Sequence, residues 1–97
     1  MSKYQVHRID TNAKEIIAAL EAGGCTVESI GRPVDIAVGY IEWTADGRGI
    51  PRTALFEIKS GKGKLRESQI KFITRWVGHV GVLRSIADVQ VFLQTRR

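Results

Sequence analysis

Cysteine is nearly absent: Cys25 is the only one in 97 residues, so no internal disulfide can form and no Cys/His zinc site can be assembled. The two histidines, His7 and His79, lie far apart in the chain with no partner at ligand spacing. No apolar run approaches the roughly 18 residues of a membrane span, and no basic-then-apolar leader opens the sequence. Gly61-Lys62-Gly63-Lys64 lacks the long spacing and the Gly-Lys-Ser/Thr ending of a P-loop. There is no internal repeat and no low-complexity tract. These absences exclude a disulfide scaffold, a zinc module, a P-loop nucleotide hydrolase and a membrane-spanning protein, and they predict a soluble, cytoplasmic chain folded as one domain over residues 1–97. A chain of this length buries only about 60 to 65% of its unfolded surface, so a separate substrate domain is excluded and dimerisation is a natural supplement.

Charge is present in excess and unevenly. Fifteen Lys and Arg against ten Asp and Glu give a net +5, which suits a polyanionic partner. Lys59, Lys62, Lys64, Arg66 and Lys71 crowd into one stretch in which Glu67 is the only acid. Lys62, Lys64, Arg66 and Lys71 are candidates for DNA phosphate contacts, the glycines allowing the Ser60–Lys64 loop to follow a backbone; the other reading is a solvated charged loop. Arg32 and Arg52 flank the strands and either extend this surface or solubilise it. Arg96 and Arg97 form a basic tip.

The periodicities predict helix, strand, strand, strand, helix, strand, short helix. Asn12 with Glu15 three residues on resembles a capping box opening a helix over about Ala13 to Ala22, which Gly23 and Gly24 stop. Cys25 to Ile30 reads as a first strand, with Cys25 as a buried small hydrophobe. Val34, Ile36, Val38 and Tyr40 share one face of a second strand running to about Trp43, and Asp46-Gly47 marks a turn. The chain then returns antiparallel through Thr53 to Lys59. Leu65, Gln69, Phe72, Ile73 and Trp76 share a helix face beginning near Arg66, which predicts that Phe72 and Trp76 pack in the core. Val80 to Arg84 reads as a short strand, and Ser85 with Asp88 as the cap of a final helical turn or two through Val91 and Leu93. Trp43 is a candidate either for a dimer contact or for packing on its own sheet.

In the third strand Glu57 and Lys59 stand on one face of a presumed central strand, a placement that needs a reason. Asp35 and Glu57 can supply carboxylates, and Ile58 a carbonyl, to a hard divalent cation such as Mg2+ or Mn2+. The Lys59 ammonium, on the same side as Glu57, can orient or help deprotonate an attacking water and offset charge on a pentavalent phosphorus. Gln69 either borders the buried helix face or hydrogen-bonds phosphate or metal water. Glu15 either caps its helix or joins the metal site. The chemistry that such a set supports is phosphodiester hydrolysis.

On these residues the chain resembles a stand-alone VRR-NUC domain protein of the PD-(D/E)xK nuclease superfamily, the small phage and bacterial type, from roughly Asn12 to Phe92. The family's helical acid falls on Glu15, its metal-binding Asp on Asp35, its Glu-x-Lys on Glu57 and Lys59, and its helical Gln on Gln69. Leu65 to Gln69 resembles the Leu-Ser/Thr-x-x-Gln opening, with Arg66 in place of the hydroxyl residue. Val34 separates Pro33 from Asp35, where the superfamily commonly has Pro next to Asp. The resemblance implies an α/β, restriction-endonuclease-like core: a small mixed sheet flanked by helices. It also implies Mg2+ or Mn2+ dependence, DNA as substrate, plausibly branched DNA such as four-way junctions, and a homodimer similar to Holliday junction resolvases. The competing expectation is a non-catalytic nucleic-acid-binding or scaffold protein on the same fold.

Overall fold

The computed structural model describes residues 12–95; His7, Arg96 and Arg97 lie outside that range. The elements are α1 (Ala13–Ala22), β1 (Thr26–Ser29), β2 (Ile36–Trp43), β3 (Gly49–Ile58), α2 (Glu67–Arg75), β4 (Val80–Leu83) and α3 (Ile86–Thr95). They form a small compact α/β domain with a mixed four-stranded sheet in the order β1-β2-β3-β4. β1, β2 and β3 are antiparallel neighbours, and β4 returns parallel to β3 after the α2 crossover, as a parallel pair requires. No described helix is long and apolar enough to cross a membrane.

Strand alternation sorts the sheet into two faces. One carries Ile36 and Val38 of β2, Ala54, Phe56 and Ile58 of β3, and Leu83 of β4, packed with Ala13, Ile16 and Leu20 of α1 and Val89 and Phe92 of α3. Each fully buried Ile, Leu or Phe there contributes roughly 1.5–3 kcal/mol. Phe92 closes this layer with its ring edge-on to Tyr40 and Phe56, at centroid separations of 5.0 and 5.1 Å. Cys25 is buried at its rim, as expected for a small apolar side chain. The opposite face carries Glu57, and α2 lies there.

Three local expectations need correction. Asn12 makes no side-chain cap on α1; its amide instead donates to the carbonyls of Lys59 and Arg84, at 3.3 and 2.9 Å. β3 begins at Gly49 rather than near Thr53, so it runs through Pro51, which pairs with Ile41. The ring costs no ladder bond, because Leu55 and Lys59 donate toward the β4 side. Pro51 shares their orientation, and β4 reaches back only to Leu55. The turn before β3 needs Gly47, whose φ of 88° lies in the left-handed region that side chains resist. Trp76 is not core: α2 ends at Arg75, the chain turns extended, and the indole is 43% exposed beside the buried Phe72.

The final helix is longer than the one or two turns expected. Ser85 Oγ accepts from Asp88 N–H at 3.3 Å, and Asp88 Oδ2 accepts from Arg84 N–H at 2.7 Å. That start and the burial of Val89 and Phe92 carry α3 to Thr95.

Candidate active site

Asp35 immediately precedes β2 and Glu57 is next to last in β3. The register Ile36↔Phe56, continued by one residue, sets Asp35 opposite Glu57. Val34, the extra residue after Pro33, does not disturb this. It is 1% exposed, while the Asp35 carbonyl accepts the Ile30 and Gly31 amides at 2.9 and 3.2 Å. The extra residue is thus buried, and its neighbour points to the other face.

The two carboxyl groups meet. Asp35 Oδ2 accepts the Ile58 amide at 2.7 Å. Glu57 is 3% exposed. Burial first, and then the Asp35 charge and a hydrogen bond with its carboxyl, push the Glu57 pKa up to about 7, against the opposing pull of Lys59 and Gln69. Lys59 Nζ stands 3.8 Å from Glu57 Oε2, its side chain 15% exposed.

Gln69 is the second buried polar residue of this layer. Its Nε2 donates to Glu57 Oε2 at 2.5 Å, and its Oε1 accepts the Arg66 N–H at 2.8 Å. One amide therefore closes the first turn of α2 and fixes the Glu57 rotamer. The unusual Arg66 is harmless in this position, since it enters through its backbone.

The Ile58 carbonyl completes the donor set. Residues of one strand alternate their backbone groups between neighbours; Leu55 and Lys59 turn to β4, and Ile58 turns its N–H to Asp35. Its carbonyl points to that same side. Among the described residues no third His, Cys, Asp or Glu joins the pair. Two carboxyl oxygens and a carbonyl leave open coordination positions, which suits a Mg2+ or Mn2+ ion that keeps several waters. The charge of the half-buried Asp35 opposes ionisation of the buried Glu57, and a divalent cation held between them would relieve that opposition.

Of the other expected residues, Glu15 lies in the first turn of α1, exposed, with no hydrogen bond or ion pair to this cluster among the described residues. Lys62, Lys64 and Arg66 are exposed along the loop that leaves Lys59. Lys71 is exposed and pairs with Glu67 at 3.6 Å. Arg52 belongs to the other face, ion-paired with Glu42 at 2.7 Å. His79 is locally bonded, its Nδ1 3.2 Å from the Tyr40 hydroxyl. Two residues escaped the sequence reading, Asn12 as a tether and Arg84 as an anchor. Arg84 Nη1 donates to the carbonyls of Gly61 and Gly63, at 3.1 and 2.6 Å. A strand parallel to β3 was the available signal, since its last residue must end beside Lys59. No family model, curated protein or solved structure matches the chain.

Proposed function

We propose that the protein is a metal-dependent DNA endonuclease with a restriction-endonuclease-like core, hydrolysing phosphodiester bonds at the Asp35–Glu57–Lys59 cluster. The observation that carries this reading is the meeting of two carboxyl groups from adjacent strands, one buried and raised to about 7, with an ammonium 3.8 Å away. A binding module or scaffold has no use for such a costly convergence.

Asp35, Glu57 and the Ile58 carbonyl would hold Mg2+ or Mn2+, which when bound supplies Lewis acidity at a phosphate oxygen. Gln69 keeps the Glu57 carboxylate oriented. Lys59 orients the attacking water and counters the charge that grows on the phosphoryl oxygens. Water adds to phosphorus as one P–O ester bond breaks, leaving a phosphate monoester and a free hydroxyl. Lys62, Lys64 and Arg66 hold flanking phosphates. A second copy would set two such sites under two-fold symmetry, matching a branched substrate such as a four-way junction.

The test compares wild type, Glu57→Ala and Lys59→Ala on four-way-junction, flap, single-stranded and linear duplex DNA, with Mg2+, Mn2+ or EDTA. Wild type is expected to cut only with metal, fastest on the junction, and each variant to lose at least about a hundredfold in rate. Equal cutting by all three proteins rejects the site. DNA binding without any metal-dependent cutting by wild type establishes the binding-module alternative.

A further inference from the structure

The Ser60–Lys64 loop leaves β3 beside Glu57 and carries Lys62 and Lys64. Its composition, two glycines among five residues, suggests a segment free to move. Its hydrogen bonds describe something else. Gly63 N–H turns back to the Ser60 carbonyl at 2.8 Å, and the Arg84 guanidinium spans the turn by donating from Nη1 to both Gly61 O and Gly63 O.

Arg84 is itself fixed. It follows β4 directly; its N–H donates to Asp88 Oδ2 at 2.7 Å, and its carbonyl accepts from Asn12 Nδ2 at 2.9 Å. The same Asn12 amide reaches the Lys59 carbonyl, and Lys59 N–H donates to Leu83 O at 3.1 Å. The end of β3, the start of the loop and the end of β4 are thereby joined by bonds spanning 21 to 72 residues of chain. No carboxylate forms an ion pair with the Arg84 side chain among the described residues, so its charge adds to that of the loop lysines. Bonds from a guanidinium are charge-assisted, roughly twice as strong as neutral ones, which is what a glycine-rich loop needs to hold one shape.

We infer that Arg84 is a positioning residue: by pinning the Gly61 and Gly63 carbonyls it holds the Ser60–Lys64 loop in the curve that presents Lys62 and Lys64 to DNA phosphates beside Glu57. This rests on the nuclease reading for its ligand, while the pinning itself is independent of activity. The order of cause is Arg84 to loop backbone, loop backbone to lysines, lysines to DNA.

Two measurements test it, on the full chain. In limited trypsinolysis followed by mass spectrometry, Arg84→Met is expected to raise the cleavage rate after Lys62 and Lys64 about tenfold, through local opening, at a thermal midpoint close to wild type. Arg84→Lys, which keeps a charged donor, is expected to restore part of the protection. Four-way-junction affinity is then measured in EDTA in a double-mutant cycle. Arg84→Met is expected to weaken binding about fivefold when Lys62 and Lys64 are present, and less than about twofold when both are alanine, because the loop lysines carry its effect. Wild-type cleavage rates at Lys62 and Lys64 in Arg84→Met overturn the inference. So does an equal loss of affinity in both lysine backgrounds, which would make Arg84 a direct phosphate contact or a general support. Failure of wild type to bind any DNA overturns the nuclease reading together with the DNA role of the loop, and the trypsin result then still reports the pinning separately.

Discussion

Glu57 concentrates the chemistry in one side chain. A carboxyl raised from an ordinary value near 4.5 to about 7 binds a proton in the folded chain that the unfolded chain has already released. Stability from this group therefore falls as pH rises from about 4.5 to 7, and the penalty is complete above that window; at roughly 1.4 kcal/mol per pKa unit it amounts to a few kcal/mol. Glu57→Gln keeps the shape and the acceptor for Gln69 but not the charge. Its thermal midpoint is expected to match wild type at pH 4 and to exceed it by about 10–25 °C at pH 8, as followed by circular dichroism. A pH-independent difference would contradict the buried-acid account. Divalent metal competes with the same proton, so Mg2+ is expected to raise the wild-type midpoint at pH 8 and to leave it unchanged at pH 4.

At the scale of elements, α2 owes its start and the site its order to Gln69. Gln69→Ala removes the acceptor of the Arg66 amide and the donor to Glu57 together. A loss of about 1–2 kcal/mol in denaturant unfolding is expected, with cleavage slowed about tenfold as Glu57 gains rotamers. Unchanged cleavage at reduced stability would confine Gln69 to a capping role. The same helix marks what the sequence made legible. Period-2 alternation in β2 and β3 put Glu57 and Lys59 on one face, and the 3.6-residue period set Gln69 and Phe72 on the buried side of α2, because those patterns are local. Trp76 followed the period too, but the helix stops before it. The expected start of β3 at Thr53 falls short of the observed Gly49, since the reach of β4, which decides whether the missing N–H of Pro51 matters, is a tertiary property. Asn12 looked like a helix cap because its actual acceptors, Lys59 and Arg84, are 47 and 72 residues away, and no local pattern encodes them.

The whole molecule divides its labour by face. Helices α1 and α3 and the apolar side of the sheet supply the core, while the other side, at the C-terminal end of the central β3, holds the acids, Lys59 and the pinned basic loop. A buried Glu57 and a half-buried Asp35 beside an exposed basic loop make sense when the cations bind phosphates and the acids bind metal. If Lys62, Lys64 and Arg66 each neutralise one phosphate of duplex DNA, the logarithm of affinity against the logarithm of salt concentration has a slope of about −2.7 from them. The slope is then expected to shrink by about 1.8 in Lys62→Ala/Lys64→Ala. An unchanged slope would remove the loop from the interface. The most direct test of the central claim is a Mn2+ titration at pH 8, followed by electron paramagnetic resonance, on wild type, Asp35→Asn and Glu57→Gln. The account predicts one bound ion per wild-type chain and an affinity at least about tenfold weaker in each variant; no ion on the folded wild type, or equal binding by all three proteins, would contradict it.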